Sequence, residues 1–118
     1  MKVDLDKYKI VSKIFVGTNL KYVFQHIYDN SDRRILELNS VVGFIENTHT
    51  ENVIKTLRID ENGSSYSLDL SLRLQKPEIQ NFPEVFIFVD TVCVNFCFRA
   101  VAECIDFRDW TEKDKWLP

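Results

Sequence analysis

Glycine and proline are scarce in this chain, with three of each in 118 residues. Because these residues mark turns and loops, their scarcity predicts that most of the chain lies in regular elements with short connections. Long apolar runs are also missing. The longest spans residues 85–89, whereas a membrane-spanning helix needs about 20 apolar residues. The sequence therefore predicts a single domain over residues 1–118, without a membrane-spanning segment.

The sequence also predicts the absence of an export signal. The first seven residues, MKVDLDK, are charged and contain none of the apolar stretch that a secretory signal requires. The chain has three cysteines, Cys93, Cys97 and Cys104. An odd number without an export signal favours a reducing compartment, and cysteine behaves there as a small buried apolar residue. We expect a cytoplasmic protein with free, buried thiols.

Metal-binding and catalytic groups are few. Cys93 and Cys97 have three residues between them, but no histidine lies near them, and a structural zinc site needs four such ligands. One histidine, His26, lies beside an apolar stripe and the other, His49, lies in a polar loop. Three separated glycines cannot form a phosphate-binding loop. The sequence predicts no metal, no cofactor and no enzymatic activity.

A helical period is clearest in residues 19–29. Apolar side chains recur there at i, i+3, i+4, i+7 and i+8, which is the pattern of one helix face. These side chains are Leu20, Val23, Phe24, Ile27 and Tyr28. Thr18 could cap the start of such a helix, and the sequence Asn-Ser-Asp at 30–32 would end it. We expect a helix with one face packed on a sheet.

Strict alternation is clearest in residues 65–74. Tyr66, Leu68, Leu70, Leu72 and Leu74 alternate with polar residues, which indicates a strand with one buried face. Residues 53–60 alternate in the same way, and an Asn-Gly pair at 62–63 lies between the two segments. Asn-Gly favours the tight turn of a hairpin. We expect a hairpin of residues 53–60 and 65–74, with its serine-rich side facing water or a partner.

Four further segments complete the predicted sheet. Residues 34–46 indicate a long strand with a bulge at Gly43, and the composition of residues 84–90 also favours a strand. Residues 8–16 fit either a strand or a helix. Residues 91–98 favour a strand, and residues 99–107 stay open between the two. The predicted fold class is α+β, an N-terminal helix packed on a mostly antiparallel, twisted sheet of four or more strands.

Charge is unevenly distributed. Residues 1–28 carry five lysines against two aspartates, so the other 90 residues carry a net charge of −6 within the total of −3. An acidic body argues against nucleic acid, because phosphate binding needs a basic face. It suits a basic partner protein. The candidate contact residues are Asp60, Glu61, Asp69, Asp109, Trp110, Glu112 and Trp116.

Three of these candidates admit another interpretation. Tryptophan is enriched in the central residues of protein interfaces, but Trp110 and Trp116 could equally attach the end of the chain to its own core. Asp69 has Arg73 four residues later, which predicts a surface ion pair rather than a raised pKa. A free strand edge would offer a further way to bind a partner.

In size, acidity and scarcity of motifs, the chain resembles the small bacterial immunity proteins that neutralise polymorphic or contact-dependent toxins. This resemblance implies a cytoplasmic inhibitor that binds a cognate toxin, such as a nuclease, and it assigns a role to no individual residue. Charge complementarity with a basic toxin domain would speed the encounter of the two proteins.

Two alternatives come from other classes. A cone-shaped α+β domain, of the kind that binds small ligands or acts as a lyase, could line an apolar pocket with phenylalanines. The five available are Phe86, Phe88, Phe96, Phe98 and Phe107. A subunit of a larger assembly would instead have an exposed apolar patch and form homo-oligomers.

Overall fold

The computed structural model describes residues 1–47 and 54–114. In this part of the chain, seven strands form one antiparallel sheet: β1 (Lys2–Asp4), β2 (Tyr8–Val16), β3 (Asn19–His26), β4 (Arg33–Glu46), β5 (Thr56–Asp60), β6 (Glu84–Phe88) and β7 (Phe96–Asp109). Helix α1 (Ser65–Leu74) lies between β5 and β6, and two 3₁₀ turns span Pro77–Asn81 and Glu112–Asp114. The α+β class with an antiparallel sheet is confirmed. None of the described helices is long and apolar enough to cross a membrane.

The order of the strands makes the sheet curl. It runs β1-β5-β6-β7-β4-β3-β2, so β1 and β2 lie at opposite edges. Only residues 5–7 join these two strands in the chain. A chain advances at most about 3.6 Å per residue, which places the end of β1 within about 14 Å of the start of β2. The two edges can come this close only because the sheet curls back on itself.

The bend occurs in the two long central strands. Ser40 of β4 has a left-handed backbone with φ of 56°, and the register with β7 shifts between Val41 and Gly43. The bulge predicted at Gly43 is therefore confirmed. In the same region of β7, the side chains that face the core change from even-numbered positions, ending at Ala102, to odd-numbered positions, starting at Ile105. The two halves of the sheet consequently face each other across the core.

The core fills the space between these halves with aliphatic and aromatic side chains. Leu5, in the link between β1 and β2, is fully buried and closes the core where the sheet edges approach. Every strand from β3 to β7 contributes. The main contributors are Leu20, Tyr22, Phe24, Leu36, Leu38, Leu57, Ile59, Val85, Ile87, Phe98, Ala100 and Ala102.

The helix predicted over residues 19–29 is wrong, because this segment forms β3 and the turn that follows it. Val23 is buried although it lies on the opposite face from the core residues of β3, as is its β4 partner Ile35. On β7, Arg108 is opposite Ile35 and binds Asp114 of the C-terminal segment, which turns back over this face. Because β3 is buried on both faces, its apolar residues do not alternate as in a half-buried strand, and their spacing resembles that of a helix.

The second half of the predicted hairpin is also wrong, because residues 65–74 form α1. Ser64 caps the helix by accepting a hydrogen bond from the Ser67 amide, and the Ser67 hydroxyl accepts one from the Ser64 amide. This reciprocal capping box starts a helix, and no β-branched residue follows to oppose it. The expected burial is reversed, since Ser67 and Ser71 are buried while Leu68, Leu72 and Leu74 are exposed.

The other predicted strands are closer to the structure. Residues 8–16 and 84–88 form β2 and β6, and the first half of the hairpin forms β5 from Thr56 onward, while Val53 lies outside the described residues. The last strand begins later than expected, at Phe96, and continues to Asp109. Helix α1 packs on the outer face of the sheet, where Leu70 contacts Gly43.

Candidate functional site

The predicted contact residues fall into two separate groups. Asp60, at the end of β5, is opposite Glu84 of β6, which is opposite Val101 of β7. Asp109 lies eight residues further along β7, which corresponds to about 26 Å of strand. Trp116 lies outside the described residues. The seven candidates therefore do not form one cluster.

The first group consists of Asp60, Glu61 and Asp69. The carboxylate of Asp60 lies 3.2 Å from Nε of Arg58 on the same strand. Asp69 and Arg73 form an ion pair of 2.9 Å along α1, so the predicted pairing of these two residues is confirmed. Glu61 is exposed in the turn after β5. Neighbouring arginines thus balance two of the three charges in this group.

The second group lies where β7 ends. The Asp109 side chain is 83% exposed, and its carboxylate is 3.5 Å from Nε of Arg34 at the start of β4. Glu112 is exposed in the 3₁₀ turn that follows. Asp106, on the same strand as Asp109, is also largely exposed. Carboxylates at this end of the molecule are open to a partner.

An ion pair between partly exposed Arg108 and buried Asp114 holds this segment in place. Arg108 donates from Nη1 and Nη2 to the two carboxylate oxygens of Asp114, at 2.8 and 3.1 Å. The Thr111 amide also donates to Asp114. The hydrogen bonds from Arg108 hold the pKa of the Asp114 carboxyl well below its usual range, against the opposing effect of burial, and raise the pKa of Arg108. The exposed carboxylates therefore project from a fixed scaffold.

Trp110 attaches the same segment to the sheet. Its amide donates to the carbonyl of Arg33 at 3.0 Å, and the Arg33 guanidinium lies 5.6 Å from the centre of its ring. The side chain is half-buried, and its indole Nε1 is inaccessible and has no hydrogen-bond partner among the described residues. These contacts attach the chain at Trp110 to the start of β4.

Next to Asp109 lies an acidic cavity that sequence analysis did not identify. It is open to solvent and has a volume of about 280 Å³. Six residues from the ends of β1, β2 and β3 and from the turn before β4 line it: Asp4, Asp6, Lys7, Tyr8, His26 and Asp32. Three of the six side chains are carboxylates.

Aromatic rings and hydrogen bonds organise the wall of this cavity. The Tyr8 hydroxyl donates to Asp32 at 2.6 Å, and the His26 ring meets the Tyr8 ring edge-on at 5.2 Å. Partial burial and this hydrogen bond raise the pKa of Tyr8, so its hydroxyl stays a donor. A hydrogen bond from Lys55 lowers the pKa of Asp6. The lining thus carries three carboxylates against the one cation of Lys7. Lys55 is paired with Asp6, and Arg34 lies 3.7 Å from Asp32.

Arg34 joins the cavity to Asp109. Its Nε lies 3.7 Å from the Asp32 carboxylate and 3.5 Å from that of Asp109, and its guanidinium lies 5.5 Å from the Tyr8 ring. We call this region the acidic end. It comprises Asp4, Asp6, Lys7, Tyr8, His26, Asp32, Arg34, Asp109 and Glu112. Its carboxylates can accept hydrogen bonds from ammonium and guanidinium groups.

The sequence contained only a weak signal for the cavity residues. Asp4 and Asp6 belong to a segment with a net positive charge, and Asp32 follows a segment that had been predicted as a helix. Their proximity depends on the link at residues 5–7, which brings the start of β2 beside β1 and the turn before β4. Only the order of the strands reveals it.

The remaining candidates for chemistry are dispersed. Within the described residues, no group of three histidine, cysteine or acidic side chains is placed to hold a metal ion. Cys97 is buried as expected, whereas Cys93 is half-buried and Cys104 is exposed, so the expectation of three buried thiols is wrong. His49 lies outside the described residues.

The phenylalanines considered for a ligand pocket pack against other rings. Phe86 stacks on Phe88, with ring centres 5.3 Å apart and planes nearly parallel. Each of the other three lies within 7 Å of a further aromatic ring. They are Phe96, Phe98 and Phe107. Such contacts are the ordinary use of phenylalanine in a core.

No protein-family model, curated protein or solved structure matches this chain. What the acidic end binds is therefore inferred from its own geometry and charge.

Proposed function

We propose that this protein inhibits a basic partner protein by binding it, in the manner of the bacterial immunity proteins that it resembles. It acts by association rather than by catalysis. The observation that carries this proposal is the acidic end, where Asp32 and the largely exposed Asp109 lie on either side of Arg34, next to a cavity lined by carboxylates.

Fixed carboxylates suit protein recognition for an energetic reason. Association costs less when the contact groups are already ordered, because fewer side chains lose freedom on binding. The ion pair of Arg108 with Asp114 orders the segment beyond β7, and hydrogen bonds to Tyr8 and Lys55 order Asp32 and Asp6. The acidic end therefore presents its charge in one arrangement.

The charge of the acidic end also selects the partner. A domain that handles nucleic acid carries lysines and arginines on the face that meets the phosphates. An acidic surface attracts that face and, once bound, covers it. A nuclease toxin would then be inhibited because its substrate and the inhibitor require the same basic side chains.

The decisive experiment is co-expression with the product of the adjacent gene. We expect that product to be lethal alone and harmless when this protein is present in excess. The association rate of the purified pair should fall markedly with added salt, because exposed charges are screened beyond about 8 Å at physiological ionic strength. A neighbour that is harmless alone, or that stays lethal in the presence of excess protein, would count against the proposal.

Charge reversal locates the binding surface. Asp109→Lys combined with Glu112→Lys should weaken binding mainly through the association rate, because both side chains are exposed. The matched control is Glu78→Lys combined with Glu103→Lys, which changes the net charge equally at exposed positions outside the acidic end. If the control pair abolished protection against the toxin and the first pair did not, the binding surface would lie elsewhere.

A further inference from the structure

The turn between β3 and β4, at residues 27–32, carries the most exposed aromatic residue that the structure describes. Tyr28 is 80% exposed, whereas the other three tyrosines are buried or half-buried. Tyrosine is enriched among the residues that dominate the binding energy of protein interfaces. The helical period of residues 19–29 predicted a buried Tyr28, so its exposure is a property that only the structure reveals.

Hydrogen bonds order this turn beside the acidic end. The Tyr28 amide donates to Nδ1 of His26 at 3.1 Å, and the centres of the two rings lie 5.9 Å apart. The Asp32 amide donates to the carbonyl of Asp29 at 3.1 Å, and the His26 amide donates to that of Asp32 at 2.9 Å. His26 and Asp32 also line the acidic cavity. Because the turn that carries Tyr28 is already ordered, less freedom is lost when a partner binds.

The residue after Tyr28 supplies a carboxylate. Asp29 is exposed, and its Oδ1 accepts hydrogen bonds from the hydroxyl and the amide of Ser31, at 2.6 and 3.0 Å. These hydrogen bonds lower the pKa of the Asp29 carboxyl, which is therefore charged at neutral pH. Among the described residues, no lysine or arginine forms an ion pair with Asp29. Its charge is available to a cation from another molecule.

An arginine already occupies a site of this kind within the acidic end. The Arg34 guanidinium lies 5.5 Å from the centre of the Tyr8 ring, and its Nε lies 3.7 Å from the Asp32 carboxylate. A guanidinium can make both contacts at once, because it is planar and weakly hydrated, whereas an ammonium group is a compact and strongly hydrated charge. In the part of the chain that the structure describes, no cation lies over the Tyr28 ring.

We propose that Tyr28 and Asp29 bind an arginine side chain of the basic partner, whose guanidinium stacks on the Tyr28 ring and donates to the Asp29 carboxylate. This inference rests on the proposed function for its basic partner, and it adds the group of the partner that the turn selects. Arginine is the preferred residue for phosphate recognition. Binding at the turn therefore occupies a side chain of the kind that a nuclease needs for its substrate.

The test uses two capped hexapeptides of equal charge, in which glycine alternates either with arginine or with lysine. Each is titrated into the full chain at low ionic strength, and NMR follows the ring resonances of Tyr28. We expect the arginine peptide to shift these resonances and to bind about threefold more tightly than the lysine peptide, since stacking at an exposed ring contributes about this factor. General attraction to the acidic end is the same for both peptides and does not distinguish them.

Protein variants separate the ring from the charge. Tyr28→Leu should abolish the preference for the arginine peptide, whereas Tyr28→Phe keeps a ring and should retain it. Asp29→Asn can still accept hydrogen bonds from Ser31, and it should weaken binding of the arginine peptide about twofold through loss of the charge. Leu72→Ala, at a position on α1 that is 71% exposed, is the control and should leave both affinities unchanged.

Three results would overturn the proposal: equal affinity for the two peptides, an arginine preference that survives Tyr28→Leu, or Tyr28 ring resonances that do not move. Each of them leaves inhibition of a basic partner by general charge attraction intact. A product of the adjacent gene that does not bind would instead count against the proposed function alone, because the peptides contain no part of that product. The two failures are therefore distinguishable.

Discussion

Arg99 donates two hydrogen bonds to Glu84, from Nε at 2.7 Å and from Nη2 at 3.1 Å, and the Glu84 side chain has no exposure to solvent. The Arg99 guanidinium also lies 4.7 Å from the centre of the Phe86 ring and 4.9 Å from that of Tyr66 on α1. This pair connects β6, β7 and the helix. A buried carboxylate is tolerated there because the guanidinium neutralises it.

Arg99→Met should therefore destabilise the protein by about 3 kcal/mol, since it leaves the Glu84 charge buried and unpaired. Adding Glu84→Leu should recover a large part of this loss, because an apolar pair of similar volume needs no neutralisation. Urea unfolding of the two variants measures the difference. A double variant that is less stable than Arg99→Met alone would contradict this account.

The contact between Gly43 and Leu70 predicts a second effect. A Cβ atom added to Gly43 would lie 2.7 Å from Cδ1 of Leu70 and 2.8 Å from the Tyr66 hydroxyl. Gly43→Ala should cost about 1–3 kcal/mol through overpacking of α1 against β4. Combining it with Leu70→Ala provides the space. In thermal unfolding, the double variant should therefore lose less stability than the sum of the losses of the two single variants. Strict additivity would contradict this packing.

The exposure of Leu72 distinguishes helix from strand at residues 65–74. Leu72 is 71% exposed on α1, so Leu72→Asp should change the free energy of unfolding by no more than about 0.5 kcal/mol. Leu70→Asp places a charge against Gly43 and should cost about 2–3 kcal/mol. Denaturant curves of both variants provide the comparison. Equal, large losses would support the hairpin expected from the sequence.

The ion pair of Asp114 with Arg108 predicts a pH dependence. The pKa of Asp114 in the folded protein lies below its ordinary value of 3.8, so the pair contributes its full stabilisation above about pH 5 and loses it as the pH falls through the folded pKa. Asp114→Asn should cost about 1–2 kcal/mol at pH 7, a value reduced by the partial exposure of Arg108.

The measurement is the free energy of unfolding of both proteins between pH 7 and pH 2. The difference between them should narrow below pH 4, since protonated Asp114 resembles asparagine. Asp69→Asn, which breaks an exposed ion pair on α1, is the control and should change the stability little across the whole range. A difference that is constant with pH would contradict the prediction for Asp114.

The parts of the fold that could be predicted are those where composition and period agree. Strand β6 is β-branched and aromatic, and β4 could be recognised with its bulge because Gly43 interrupts an otherwise aliphatic run. The errors arose where the buried side chains of an element do not follow the simple pattern of one apolar and one polar face. Strand β3 is covered by the core and by the C-terminal segment, and α1 buries small serines while it exposes leucines.

The acidic end was predictable only in part. Asp109 and Glu112 could be selected because they lie in a polar segment at the end of the chain. Asp4, Asp6 and Asp32 could not, because their proximity depends on the link at residues 5–7, and Asp32 is 24 residues away in the chain from Tyr8, with which it is hydrogen-bonded. Local patterns carry no information on contacts of this range.

Of the strands in the described residues, β7 is the last to be synthesised and the middle one of the sheet. Before residues 96–109 leave the ribosome, β1, β5 and β6 form one potential group and β2, β3 and β4 another, with no strand to connect them. The apolar face of each group then lacks the other half of the sheet, against which it packs in the complete fold. We expect nascent chains that stop before residue 96 to be bound by chaperones and degraded by proteases, and the sheet to be completed only after residues 96–109 have left the ribosome.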